Sequence, residues 1–103
     1  MSGTELRRLL VFRGRLRQEI VGLPRRAQRD VLRALEHARQ LRLHGRAAAW
    51  TPPAMTAAEL IREIKWRIDA SSLAEVTAGV EVLDRARRAA PRTRRPRPMP
   101  SGP

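Results

Sequence analysis

Arg25, Arg29 and Arg33 recur at four-residue spacing with Arg26 beside them, and such a row repels itself on an isolated helix. A polyanion turns that repulsion into binding free energy, because each arginine that neutralises a phosphate releases condensed counterions. Arg7, Arg8 and Arg15 fall on the matching outer side of the segment before it, and Arg92, Arg94, Arg95 and Arg97 crowd the segment from Pro91 to Pro103. Those are the expected nucleic-acid contacts. The rival reading is a solvated face with local pairs, such as Arg26 with Asp30 or Arg33 with Glu36.

Other chemistry-bearing residues do not assemble into a site. There is no cysteine, which excludes disulfides, thiolate metal sites and a cysteine nucleophile. His37 and His44 lie seven residues apart, roughly 10 Å along a helix, whereas chelation from one helix wants a four-residue step. Neither histidine has a serine and carboxylate arranged as a triad. Glu59 and Glu63 are one turn apart and matched by Arg62, Lys65 and Arg67, a pattern of salt bridges. No glycine-rich phosphate loop occurs. The expectation is a protein that is not an enzyme and takes no cofactor, metal or small-molecule substrate.

Trp50 stands just before a Pro-Pro break, and Trp66 falls opposite the apolar face of its segment. Either could anchor a protein interface, although packing against a neighbouring helix is the favoured reading of such aromatics. With Phe12 the only other aromatic, a stacking platform for single strands is poorly supplied. Arg13 and Arg17 lie inside an apolar arc, one turn apart. They either snorkel past the core edge, the favoured reading, or face an acidic partner. Arg13, Arg17, Trp50 and Trp66 are therefore the candidate protein-interaction residues.

Net charge gives the same emphasis: 22 basic against 10 acidic residues, +12 in all, with Lys65 the only lysine. The stretch 1–45 carries +7, 46–70 carries +1, 71–90 is neutral and 91–103 carries +4. The longest early apolar run, Leu9 to Phe12, is too short for a signal-peptide core or a membrane span. An organellar transit peptide is disfavoured by Glu5 and Glu19. The cytoplasm is the expected compartment.

The elements that must hold these residues are helices. Leu6, Leu9, Leu10, Phe12, Leu16, Ile20 and Val21 share one broad face, predicting a helix over 5–21 that Gly22 stops. Pro24 and Gly45 bracket a second over 24–44, with Ala27, Val31, Ala34, Leu35, Ala38 and Leu41 as its buried stripe, flanked by Leu32. Its alanines allow close approach of another helix. Thr56 with Glu59, and Ser72 with Glu75, are capping-box patterns that open helices over 57–69 and 72–90. Their inward residues are Ala57, Leu60, Ile61, Ile64 and Ile68, then Leu73, Val76, Val80, Leu83 and Ala86. Only Asp69 to Ser71 separates them, so an αα-hairpin is expected. A helix-turn-helix reader with Ser72 and Thr77 at the bases is disfavoured by Glu75 and Glu81 in its early turns.

The expected fold is all-α, one domain over 1–90, as a small four-helix bundle or two packed αα-hairpins. A disordered, basic, proline-rich C-terminal tail over 91–103 is expected to follow as an electrostatic arm, since an SH3-type pattern at Arg97 to Pro103 arises there by composition alone. The expected function is binding of DNA or RNA through backbone phosphate, alone or as a small subunit of a nucleoprotein complex. The alternative is a protein-interaction module, with a protein partner or further copies of itself, that docks an acidic surface through its basic face and Trp50 or Trp66. Peripheral membrane binding by the first helix is the weakest of the three readings.

Overall fold

A computed structural model describes residues 2–89. They form four helices: α1 (Gly3–Glu19), α2 (Arg25–His44), α3 (Ala57–Asp69) and α4 (Leu73–Ala89), with a 3₁₀ turn over Ile20–Gly22 closing α1. The all-α bundle expected from periodicity is what the chain forms. The expected tail, 91–103, lies outside the described residues.

Each boundary has a local cause. Ser2 accepts from the Glu5 amide while the Glu5 carboxylate accepts from the Ser2 amide, a full capping box that starts α1 two residues before the expected boundary. Thr56 and Glu59 make the same reciprocal pair at α3. Pro24 sits at the N-cap of α2 in extended conformation rather than in its first turn, and offers no side-chain acceptor. Gly45 ends α2 with φ of 75°, a left-handed geometry that needs glycine. Gln28, buried, donates its side-chain amide to the Ile20 carbonyl at 3.0 Å and so ties the start of α2 to the end of α1.

Helix partners are crosswise rather than sequential. α4 packs on α2 and α1, and α3 packs on α2 and more lightly on α1. α3 and α4 share a short connection and bury their faces mainly on α1 and α2. Direction follows from named contacts. Glu75 at the start of α4 meets Arg42 near the end of α2, so these two run antiparallel. Ser71 meets Arg13 and Arg87 meets Glu19, so α1 and α4 run the same way. Arg25 reaches Met55 and Glu36 reaches Arg67, which makes α2 and α3 parallel. Parallel neighbours need a connection that returns along the whole first helix, about 30 Å for twenty residues. The extended segment 45–56 supplies it.

Leu16, Ile20, Val31, Leu32, Leu60, Ile64, Ile68, Val76 and Leu83 are fully enclosed. Burying each stabilises the fold by about 2 kcal/mol over an exposed side chain. The centre of the bundle is Gly79 of α4, where a Cβ would stand 3.0 Å from a Leu16 methyl and 3.1 Å from a Leu35 methyl. This glycine, rather than the alanines of α2, lets three helices converge. The expected faces were too broad: Leu6, Leu10 and Val21 of the α1 face and Leu41 of the α2 stripe are all about half exposed, and Ala57 is exposed. No described helix is long and apolar enough to cross a membrane.

Candidate nucleic-acid interface

The arginine row of α2 divides in two. Arg25 donates to the Met55 carbonyl, and Arg29 donates to the carbonyls of Pro52 and Pro53. The returning 45–56 segment is extended and has no ladder partner, so its carbonyls need donors from elsewhere. Two guanidinium forks provide them, stapling the segment to α2. Arg33 stands 3.6 Å from Asp30, with both side chains about half exposed. Arg26 is exposed and has no ion-pair partner among the described residues. Arg25 and Arg26 also sit in a first turn that holds no acidic residue. They thus add positive charge to the positive end of the α2 dipole.

Arg7 and Arg8 lie in the exposed first turns of α1 and have no ion-pair partner among the described residues. Arg15, expected beside them at the phosphate surface, donates instead to Glu19 of its own helix and to Asp84 of α4. Its pKa is raised, chiefly by the hydrogen bond to Asp84 and then by that to Glu19. The same bond holds the Asp84 carboxyl below its ordinary value. Arg7 is twelve residues from Glu19, about 18 Å up the helix from the corner where α2 begins. Arg7 and Arg8 therefore form one cluster, and Arg25, Arg26, Arg29 and Arg33 another.

Arg13 and Arg17 find their acceptors within the chain. Arg13 donates to the Ser71 carbonyl in the α3–α4 turn, with its Nε buried and unpaired, and Arg17 bridges to Asp69 at the end of α3. Rather than snorkelling or facing an outside partner, the pair clamps α1 to that turn.

A second arginine, Arg67, organises the other side. It bonds Glu36 of α2 and Glu63 of its own helix, and its guanidinium carbon lies 5.5 Å from the centroid of the Trp50 ring. Burial pushes the Glu36 carboxyl up, but hydrogen bonds from Gln40 and Arg67 outweigh it and leave the pKa lowered. Burial likewise pulls Arg67 down, and its bonds to Glu36 and Glu63 leave it raised. Trp50 is thus half-buried against the core, as the packing reading expected. Trp66 is 65% exposed, so there the packing expectation fails. It stands over a shallow depression with Ala54, Met55, Glu59, Arg62 and Glu63.

The first turn of α4 is turned toward α2. Glu75 is 3% exposed and paired with Arg42, Ser72 donates to Glu75, and the Thr77 hydroxyl donates to the Leu73 carbonyl. Ser72 and Thr77 are committed to their own helix, which removes the base-reading geometry. His37 and His44 are exposed, and the described residues contain no cluster of His, Asp and Glu able to hold a metal ion.

All ten carboxylates of the chain lie within the described residues. Seven bridge to arginine, and Glu5 and Glu59 close capping boxes. Among the described residues this leaves Arg7, Arg8, Arg26, Arg46, Arg62, Lys65, Arg85 and Arg88 with neither a carboxylate nor a backbone carbonyl as acceptor, Arg13, Arg25 and Arg29 being held by carbonyls. Arg62, Lys65, Arg85 and Arg88 were not expected here because their segments hold local carboxylates. Asp84, one turn before Arg88, is taken by Arg15 of α1, and Glu59, one turn before Arg62, is spent on its cap. The cap was readable in advance, but the tertiary capture of Asp84 was not.

Fold and charge together define a small all-α protein with an unbalanced basic surface. Comparison of the chain with protein-family models, curated proteins and solved structures found no match in any of the three.

Proposed function

We propose that the protein binds nucleic acid without catalysis, through backbone phosphate, as a protein of the cytoplasm or a small subunit of a nucleoprotein assembly. The observation that supports this is the near-exhaustion of its carboxylates: nine of ten are engaged in ion pairs or caps, and apart from Glu81 the uncovered charge that remains is positive. Arg7 and Arg8 form one contact cluster. Arg26 anchors the other, with Arg33 half exposed beside Asp30 and Arg25 and Arg29 adding the N–H groups their loop carbonyls leave over. Arg92, Arg94, Arg95 and Arg97, outside the described residues, add four further positive charges. Phosphate contact without base contact predicts little sequence preference.

Titration of labelled duplex DNA and of RNA at several salt concentrations tests this. Affinity falls steeply with salt, and Arg7→Gln, Arg8→Gln and Arg26→Gln together make the slope of log K on log salt shallower by about 0.9 per arginine removed. Absent or salt-insensitive binding overturns the reading. A second reading, docking of an acidic protein, draws on the exposure of Trp66. It wins if a partner recovered after nuclease treatment is lost on Trp66→Ala.

A further inference from the structure

We propose that the groove between α2 and α4 seats a partner helix bearing a stripe of large apolar side chains flanked by Asp and Glu. α4 carries two apolar stripes. Val76, Val80 and Leu83 face the core, while Ala78, Val82, Ala86 and Ala89 form a second line on an adjacent face. That line spans eleven residues, about 16 Å or three helical turns. Across the groove α2 presents Ala34, and Ala38 and Leu41 continue its stripe: Ala34 and Ala38 are half-buried and Leu41 is 46% exposed, although periodicity put all three in the core. A small-residue floor between two antiparallel helices admits a third helix at close range and receives large side chains from it.

Charge selects the occupant. Arg33, Arg85 and Arg88 line the groove, against Asp30 and Glu81. Arg92, Arg94, Arg95 and Arg97 follow within eight residues of its end at Ala89. A second copy of the chain, with its own +12, would set like charges against one another. A nucleic-acid backbone gains little from an Ala and Val floor. An acidic amphipathic helix satisfies both the floor and the rim.

The test uses the full chain and three labelled, helix-stabilised peptides, with binding followed by fluorescence anisotropy at physiological salt. One has a leucine stripe with Glu flanks, one the same composition with the leucines scrambled, and one Lys flanks. The first binds, and the other two bind roughly tenfold or more weakly, a discrimination of about one decade in Kd. Arg85→Glu with Arg88→Glu reverses the preference toward the Lys-flanked peptide. Ala86→Arg, or Ala89→Arg at an exposed position, blocks binding while circular dichroism remains that of the parent. Equal binding of the scrambled peptide, indifference to both Ala→Arg variants, or a homodimer that Ala86→Arg dissolves would each overturn the proposal. DNA affinity of Ala86→Arg is read in parallel and does not fall, so loss of the groove and loss of phosphate binding are told apart.

Discussion

Arg26 and Arg29 are three residues apart near the start of α2 and behave as opposites. Arg29 spends two N–H groups on the carbonyls of Pro52 and Pro53, whereas Arg26 faces solvent without an ion pair among the described residues. The same contrast separates Arg15, held by Glu19 and Asp84, from Arg7 and Arg8 two turns earlier on α1. An arginine with an acceptor in the fold fixes helix geometry; one without is available to an outside anion. Residue type cannot tell the two apart. Only the chain that returns past each of them can.

That division breaks most sharply at Arg67. Its replacement by Ala leaves Glu36, 6% exposed, without its arginine from α3, and removes the cation over Trp50. Stability measured by urea unfolding falls by about 2–3 kcal/mol, while DNA affinity of the folded fraction stays near that of the parent. A fall in affinity with no loss of stability would reverse its assignment. Arg29→Ala frees the Pro52 and Pro53 carbonyls. Pro53 is exposed but Pro52 is buried, so the expected loss is about 1–2 kcal/mol, read as a lower denaturation midpoint at unchanged slope.

Acid sharpens the contrast further. The Glu36 and Asp84 carboxyls both lie below their ordinary values in the folded chain. A carboxyl whose pKa is lowered by folding adds stability at pH above its unfolded value, and that stability is lost as pH falls through the folded value. Unfolding free energy is therefore flat from neutral pH down to the ordinary carboxylate range near 4 and declines below it. Glu36→Gln flattens the decline. Asp84 is more exposed, so its share is smaller and shrinks with salt. Smallest of all in stability are Arg7→Gln, Arg8→Gln and Arg26→Gln, each within about 0.5 kcal/mol of the parent. A larger loss from any of them would move it among the structural arginines.

Much of the fold was legible because local rules carried it. Thr56 with Glu59 and the Pro24 and Gly45 punctuation placed α3 and the limits of α2 to within a residue, since caps and stops act over one turn. Ser2 with Glu5 held the same signal for α1, and it moved that start two residues ahead of the expected boundary. Buried faces were legible only in outline. Periodicity shows which residues could be covered, but Leu6, Leu10 and Leu41 remain half exposed because no other helix reaches them. The role of Gly79 became readable only with Leu16 and Leu35 packed against it. The candidate site divides along the same line. The outward position of Arg7, Arg8 and Arg26 follows from the helical wheel, whereas the engagement of Arg13, Arg15, Arg17, Arg25 and Arg29 depends on acceptors 23 to 69 residues away.

By itself the amino-acid sequence determined the number of helices, the limits of three of the four to within a residue, and the excess of positive charge, because caps, periodicity and composition act within a turn or need no geometry at all. Tertiary structure alone decided which helices became partners and which arginines were spent. The 45–56 segment had to run back along α2, its carbonyls required donors, and the carboxylates available to balance a +12 chain went to whichever guanidinium the packing brought nearest.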